Sequence, residues 1–553
     1  MKSGLQKISA AKKHKPLIER FTEYRQQHRD DITKLYVLLF LSFLSSLMIQ
    51  ERMGIDHFVG SFLLTAILLM MFYKDIRRYK PAYLNDYKLL LLLGLLVTGT
   101  LMLGRIFEYL LAGLYRGLDF PVNGYSLFGI PVPLGAMLVT LIFDFHTAII
   151  FSFVMSLLSG IWLNNPLYTL YVFIGSLAAA FSVIRCKKRS ALIMGGIYVS
   201  IVNSMTAGII LLFSGDLFTP AAPPALMFAA MSGIMVSAIV SFLLPVIEYF
   251  FGIATDISLI ELLDLNHPLM HNLMIAASGT YHHSVVVGNL AEAAAEVVGA
   301  NPLLARVCAY YHDIGKMKMP DYFVENQKGS VNRHEKLTPH MSGMILISHV
   351  KEGVELARQH KFPKTVIDVI QQHHGTSLIV YFFQKALEQE TSDNIPSQVN
   401  YRYPGPKPQT RVAALVMMAD AVEAASHSLA EPTPARIMAL VEKIINNIFL
   451  DGQIDECELT LKDLSEIKQR FTYILTSIFH RRIEYPEIDM KGQAHKAERA
   501  SAEAGSQRPA PGAAIRGNGN SNKEQPKTDK DKPALNQESG TQSPRLPDRE
   551  TAV

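Results

Sequence analysis

The stretch AYYHDIGK at residues 309–316 is the most informative part of the sequence, because it sets His312 directly before Asp313. An imidazole and a neighbouring carboxylate can bind a metal ion, and the carboxylate can bridge two ions through its two oxygens. Asn301-Pro302 upstream is typical of a helix start, and the glycine two residues after the aspartate is typical of a helix end. The pattern therefore predicts a helix whose last residues carry metal ligands.

Further residues of the same chemical types lie on both sides of this stretch. About half of the chain's 18 histidines fall between positions 282 and 374. A single histidine is more often structural than a ligand, but an adjacent His and Asp together with a histidine pair indicate a metal site. The candidate metal ligands are His283, His312, Asp313, His349, His373, His374 and Asp420.

Start and stop signals place these side chains on helices. Thr338-Pro339 repeats the start signal ahead of one candidate, and Pro363 begins a helix that ends in the pair His373-His374. Thr280 is the expected N-cap of the helix that carries His283. Alternating strand patterns are not needed, so we predict an all-α domain with its site between helices.

The chemistry of the set indicates a metallohydrolase. Imidazole and carboxylate without thiolate suit Mn, Fe(II) or Zn better than Mg or Ca. One ion needs only four of the seven residues, whereas the full set provides for a second ion with Asp313 as the bridge. Two such ions activate a water and stabilise the oxygens of an in-line displacement at phosphorus. Lys316 could neutralise phosphate charge, so we predict catalytic roles for Asp313 and Lys316.

Two further segments are candidates for contacts to a phosphate-containing substrate. The sequence EN at 325–326 follows the HD stretch and either lines the site or caps a turn. The loop YRYPGPK at 401–407 is either a surface loop or a segment that stacks on a base and pairs with phosphate. The substrate-binding candidates are Glu325, Asn326, Arg402, Tyr403 and Lys407.

The first 250 residues are mostly apolar and predict membrane spans. A bilayer core of about 30 Å needs about 20 helical residues, and most charge-free runs reach that length with their flanks. We expect about eight spans within residues 35–250, with seven as the alternative. The runs are 35–50, 58–73, 89–104, 130–143, 147–162, 166–184, 191–214 and 226–247.

Charge in the loops predicts the orientation. Lysine and arginine concentrate in residues 1–34 and in the loops after the second and sixth runs. The positive-inside rule then makes the N-terminus cytoplasmic, and with eight spans also everything after residue 250. We predict a multi-pass protein of the inner (plasma) membrane, held in the lipid bilayer, with a cytoplasmic metal-binding domain over 251–490.

Composition and charge bear on the partners of the protein, its cysteines and its C-terminal tail. A net charge of +4 over 553 residues does not indicate a nucleic-acid partner, and three scattered cysteines predict free thiols. Residues 491–553 have almost no large apolar side chains, so we predict a disordered tail. The sequence leaves open whether the protein forms a homo-oligomer.

At these residues the chain resembles the HD superfamily of metal-dependent phosphohydrolases and, more narrowly, the membrane-anchored 7TM-HD family of PgpH-type cyclic di-AMP phosphodiesterases. The similarity rests on the 309–316 stretch and on six others. These are FGIATDISLIELLDLNHPL at 251–269, GTYHHSVVVGNLAEAAA at 279–295, ENQ at 325–327, ISHVKEGVELA at 347–357, QHHGTSL at 372–378 and YRYPGPKP at 401–408. The resemblance implies that the seven candidates bind two divalent transition-metal ions, Mn or Fe(II). It also implies hydrolysis of cyclic di-AMP to linear pApA.

The chain departs from this family in a few places. Many members carry a large extracellular domain between the first two spans, whereas only residues 51–57 lie there in this chain. Arg333 and His427 also stand where other residues are usual, although neither is a candidate ligand. Two alternatives stay open, namely a membrane nucleotide-sensing signalling protein with weak or no turnover and a different nucleotide phosphohydrolase.

Overall fold

The computed structural model describes residues 29–50, 54–84, 87–117, 125–327, 332–389 and 396–479. The predicted tail at 491–553 and most of the predicted basic segment at 1–34 lie outside these ranges. Within them the secondary structure is helical, with one isolated bridge between Leu378 and Arg402 and no strand. The predicted all-α fold is confirmed.

The described residues of the apolar half fold into eight α-helices, and each overlaps one of the eight predicted runs. They are α1 Arg29–Ile49, α2 Ile55–Tyr79, α3 Tyr87–Gly117, α4 Leu134–Ile142, α5 Phe145–Trp162, α6 Pro166–Ser182, α7 Arg189–Ser214 and α8 Ala222–Phe251. Six of them, all but α4 and α6, are long and apolar enough to cross a membrane. The count of eight spans therefore stays a prediction.

The fourth predicted span is longer than the helix that it overlaps. The apolar run begins at Ile130, but α4 begins only at Leu134 and has 9 residues. Pro131 and Pro133 precede it, and proline lacks the amide N–H that a continuous helix needs. Nine residues rise about 14 Å, less than half of the bilayer core of about 30 Å. Hydropathy alone overestimated this helix because it takes no account of the prolines.

Between residues 252 and 479, the part of the polar half that the structure describes contributes ten α-helices. They are α9 Asp256–Leu262, α10 Pro268–Ala276, α11 Ser278–Val298, α12 Pro302–Tyr311, α13 Pro339–Gln359, α14 Lys364–Gln372, α15 Val380–Glu388, α16 Arg411–Ser426, α17 Pro434–Leu450 and α18 Leu461–Ile478. Helix α16 is central: it packs against α11, α12, α14 and α17, and its residues 412–420 are all buried. The site forms where the ends of the surrounding helices meet α16.

Local capping explains two of these helix starts. The Asn301 Oδ1 atom accepts a hydrogen bond from the Leu304 amide at 3.0 Å, and the Thr338 Oγ1 atom accepts one from the Met341 amide at 3.2 Å. Both starts follow the sequence signals. The predicted N-cap role of Thr280 is wrong, because α11 begins two residues earlier, at Ser278.

Gly315 positions the turn that follows the HD pair. The 3₁₀ turn Ile314–Lys318 lies directly against α13. A Cβ atom on Gly315 would stand 1.8 Å from the His349 carbonyl oxygen, so only glycine allows the two backbones to approach this closely. This approach brings Asp313 next to His349.

Candidate metal centre

Asp313 lies at the middle of the candidate site and is 1% exposed. Its Oδ1 atom is 3.3 Å from the His349 Nε2 atom and 3.6 Å from the His373 Nε2 atom. Its Oδ2 atom is 3.1 Å from the His312 Nε2 atom and 3.6 Å from the His283 Nε2 atom. The two oxygens of one carboxylate therefore face two different pairs of imidazoles.

The seven predicted ligands form two groups that share Asp313. One group is Asp313, His349, His373 and His374, and the other is His283, His312, Asp313 and Asp420. In each group the potential ligand atoms lie within 4.8 Å of one another. The structure thus brings all seven side chains together, with a geometry that could hold two ions.

Backbone carbonyls orient three of the imidazoles. His312 and His373 each donate from Nδ1 to a carbonyl three residues earlier, those of Ala309 and Ile370, at 2.7 Å. His349 makes the same bond to Leu346. A proton on Nδ1 leaves the Nε2 lone pair free, and in each case Nε2 is the atom that faces Asp313.

The unpaired polar atoms of the centre fit a cation. The His312 Nε2 atom and the Asp313 Oδ1 atom are buried, and neither makes a hydrogen bond within the described part of the chain. Burying such atoms without a partner is costly. A divalent ion bound between them would satisfy both, and imidazole with carboxylate is a donor set for Mn, Fe or Zn.

The electrostatics of the centre also favour positive charge. Burial by itself raises the pKa of Asp313, but the neighbouring charges of His312 and Lys316 outweigh burial and hold that pKa well below its usual range. Burial alone would lower the pKa of His312, but Asp313 and Asp420 raise it to about 10. The carboxylates thus hold a proton on His312 that a metal ion would displace.

His374 is set up as a neutral ligand. Burial, together with the charge of His373, holds the pKa of His374 well below its usual range. Its ring stacks on Tyr403, with centroids 4.3 Å apart and planes at 27°. A neutral, fixed imidazole retains the lone pair that a metal ion requires.

Lys316 is held between two carboxylates rather than free. Its Nζ atom lies 2.7 Å from the Asp313 Oδ2 atom and 2.9 Å from the Glu325 Oε1 atom. Lys316 and Glu325 line a cavity of about 530 Å³. His283 and Asp420 line the same cavity. A substrate phosphate in this cavity would be within reach of the lysine.

Glu423 is a site residue that the sequence analysis missed. It is 3% exposed and accepts a hydrogen bond from the Nδ1 atom of His283, whose Nε2 atom lies 3.0 Å from the Asp420 Oδ1 atom. It also accepts from the Nε2 atom of His427 at 2.9 Å. The sequence signal that could have found Glu423 is its spacing of three residues from Asp420, since residues three apart on a helix share a face.

The other predicted substrate contacts have partners within the domain. The Arg402 guanidinium contacts both carboxylate oxygens of Asp451 at 3.1 Å, and the Lys407 Nζ atom lies 3.6 Å from Asp455. Asn326 bonds to Thr280, whose amide donates to the Asn326 Oδ1 atom at 3.1 Å. Glu325 and Tyr403 lie at the candidate metal centre. The side chains of Asn326, Arg402 and Lys407 instead fix loops and a helix end. Their substrate roles stay predictions.

Comparison with known proteins gives a consistent assignment. A family described as a 7TM receptor with intracellular HD hydrolase matches residues 56–255, and the HD domain family matches residues 280–425. The cyclic-di-AMP phosphodiesterase PgpH of Bacillus subtilis (strain 168) is 36% identical over 446 residues, which cover 79% of this chain and 60% of that protein. The cyclic-di-AMP phosphodiesterase PgpH of Listeria monocytogenes serotype 1/2a (strain 10403S) is 40% identical over 344 residues, which cover 62% of this chain and 47% of that protein.

The chain therefore spans between 47% and 60% of the length of these two relatives. A crystal structure of the L. monocytogenes PgpH HD domain in complex with cyclic-di-AMP is 46% identical and covers 40% of this chain and 100% of that one, with a TM-score of 0.37. The two family matches follow one another in the order membrane domain, then HD domain, over most of residues 56–425. Residues 56–255 of the chain thus match the family of 7TM receptors with an intracellular HD hydrolase, and residues 280–425 match the HD domain family.

Proposed function

We propose that this protein is a membrane-anchored, metal-dependent phosphodiesterase that hydrolyses cyclic di-AMP to pApA. The observation that carries the proposal is the position of Asp313, whose two oxygens face two separate groups of imidazoles. This is the arrangement that a two-metal phosphoesterase needs. The two curated relatives, both named cyclic-di-AMP phosphodiesterases, support the choice of substrate.

The seven clustered side chains would hold the ions, which we propose are two Mn or two Fe(II). When bound, such ions lower the pKa of a shared water and neutralise charge on the reacting phosphate. Lys316 holds the Asp313 carboxylate in place and offers its charge to the phosphate. Glu423 fixes the tautomer of His283, and Tyr403 fixes the ring of His374. Glu325 positions Lys316 at the cavity.

We also propose the orientation in the bilayer. The exposed cations of the loop before α7, at positions 185, 187 and 188, lie on the side of the spans from which α8 leads into the HD domain. Because cations mark the cytoplasmic side, we place the HD domain and the N-terminus there. The membrane domain would then be residues 35–250 and the HD domain 251–490. A homo-oligomer is compatible with this arrangement.

The test uses the purified full chain in detergent, loaded with Mn and incubated in parallel with cyclic di-AMP and cyclic di-GMP. We expect pApA from the first and little consumption of the second, resolved by chromatography. His312→Ala and Asp313→Ala should each lose more than about 100-fold in turnover and keep membrane insertion. His340→Ala changes an exposed histidine outside both ligand groups and is the matched control.

Two outcomes would contradict the proposal. Wild-type turnover by either ligand variant would show that the chemistry occurs elsewhere. Binding of cyclic di-AMP without turnover, in protein that holds two ions per chain, would favour the nucleotide-sensing alternative.

A further inference from the structure

A second cavity, of about 510 Å³, lies where the membrane helices meet the HD domain. Its wall is formed by the first residue of α7, the last two turns of α8, part of α9 and the end of α13 with the turn that follows it. It is separate from the cavity at the metal centre, since the two share no lining residue. The proposed hydrolysis assigns it no role.

The cavity wall carries positive charge that the domain does not neutralise. The Arg358 side chain is exposed, and its guanidinium makes no hydrogen bond or ion pair within the described ranges. The Nζ atom of Lys361 stands 5.4 Å from the centre of the Tyr249 ring, which attracts the cation but carries no net charge to balance it. Two cations therefore face the cavity without a carboxylate partner.

The acidic residues of the wall are already engaged. Glu261 accepts hydrogen bonds from the Arg189 guanidinium at 2.6 and 3.0 Å. Glu248 accepts one from the Thr255 hydroxyl. Arg189 balances the charge of Glu261, whereas Glu248 keeps its own negative charge, so Arg358 and Lys361 together leave the wall with one positive charge in excess.

The backbone at Lys361 supports a role for its side chain. Its φ of 57° lies in the left-handed region that favours glycine. The amides of Lys361 and Phe362 close α13 by bonding to the carbonyls of Arg358 and Ala357, each at 3.0 Å, a pattern that usually has glycine at this position. A lysine here accepts local strain and places an ammonium group at the cavity.

The side chains around the end of α8 are of the types that concentrate at a membrane–water interface. Tyr249 and Phe250, at the end of α8, are 62% and 75% exposed, and aromatic side chains concentrate at membrane–water interfaces. Exposed Lys187 and Lys188 precede the start of α7, which lines the same cavity. Lipid phosphates occupy this level of a bilayer.

We propose that this junction cavity binds an anionic phosphate group, supplied by a lipid headgroup, through Arg358 and Lys361. A phosphate there would add anionic charge beside the Arg189–Glu261 pair, which joins the first turn of α7 to α9. Binding would therefore act on the contact between the membrane domain and the HD domain.

Tyr311 connects the wall of this cavity to the metal centre. Its hydroxyl donates to the Leu262 carbonyl at 2.8 Å, and its ring packs edge-on against Phe362 with centroids 4.7 Å apart. Leu262 and Phe362 both line the cavity, and Tyr311 is fully buried directly before His312. A bound phosphate that displaces the cavity wall would therefore move Tyr311. One peptide bond joins Tyr311 to His312, a proposed metal ligand.

The binding test needs no catalytic activity. The full chain in detergent is titrated with dioleoylphosphatidylglycerol or dioleoylphosphatidylcholine, and the bound lipid is counted by native mass spectrometry. We expect a preference for phosphatidylglycerol that weakens about 30-fold in the variant Arg358→Gln/Lys361→Gln. The control Lys443→Gln/Lys462→Gln removes two exposed cations outside the cavity and should keep the preference.

A second variant excludes misfolding as the cause. Lys361→Gly relieves the left-handed backbone and removes the charge, so it should weaken the lipid preference without lowering the Tm. Equal preference in the wild type and the double variant would overturn the proposal. Displacement of the lipid by inorganic phosphate would keep the anion site but refute the lipid as its source.

The coupling through Tyr311 rests on the proposed function and has its own measurement. Turnover of cyclic di-AMP is compared in nanodiscs of phosphatidylcholine alone and of phosphatidylcholine with phosphatidylglycerol. The ratio should differ from one in the wild type and return to one in Tyr311→Phe, which lacks the bond to Leu262. A wild-type ratio of one, in protein that binds the lipid, would refute the coupling and leave the binding site.

Discussion

Replacement of Gly315 by alanine tests the backbone approach on which the candidate centre depends. The new Cβ atom would stand 1.8 Å from the His349 carbonyl oxygen and 2.6 Å from the Gly353 amide nitrogen, both backbone atoms of α13. An ordinary contact begins near 3.4 Å, so the turn and α13 would have to separate by about 1.6 Å. A side-chain rotation cannot relieve this contact.

The consequence for metal binding follows from the distances at the centre. Asp313 lies on the turn and His349 on α13, with their Oδ1 and Nε2 atoms 3.3 Å apart. Metal sites tolerate deviations of only about 0.2 Å in ligand distance. We therefore expect Gly315→Ala to lose the ion that needs both residues, and to lower the free energy of unfolding by about 1–3 kcal/mol from overpacking.

The assay is metal content per chain, measured by atomic emission on the full chain after equilibration with Mn. We expect a fall from about two ions to about one. Gly343→Ala is the matched control on the same helix, because its Cβ atom would meet only the Tyr401 ring, at 3.5 Å. Full metal content and wild-type stability in Gly315→Ala would refute the reasoning about the close approach.

Two further substitutions test single contacts. Glu423→Gln removes the carboxylate behind His283 and should weaken Mn binding about 10–100-fold by calorimetric titration, with unchanged affinity counting against its orienting role. Arg402→Gln should lower the free energy of unfolding by up to about 1 kcal/mol at neutral pH and leave KM unchanged, whereas a large rise in KM would restore its predicted contact to substrate. Because Arg402 holds the pKa of Asp451 below its usual value of 3.8, this stabilisation is present above about pH 4. It should disappear from denaturation curves as the pH falls through the lowered pKa.

Local signals in the sequence were reliable because the contacts that they predict are local. The caps at Asn301 and Thr338 bond to amides three residues further along the chain, so nearby sequence was sufficient to place α12 and α13. The candidate ligands could be named because an adjacent His and Asp and a histidine pair are uncommon by chance. The helical class followed from the same patterns.

Long-range contacts explain what the sequence analysis did not predict. The Thr280 amide bonds to Asn326, 46 residues away, and no pattern around Thr280 indicates that partner. Arg402 is paired with Asp451, 49 residues away, so a loop that looked free to bind phosphate is already neutralised. Glu423 lay outside the prediction because its partner His283 is 140 residues away, although its spacing from Asp420 places the two on one face of α16.

The distance along the chain between the two sides of the metal centre has a consequence for biosynthesis. His283 lies 137 residues before Asp420 and 140 before Glu423, and all three follow the last membrane helix. At a translation rate of about 5–20 residues per second, roughly 7–28 s separate the synthesis of the two sides. A nascent chain therefore enters the membrane before its metal centre can exist. Termination anywhere ahead of α16 would yield an anchored protein without Asp420 and Glu423, so such a chain could not complete the ligand group of His283 and His312.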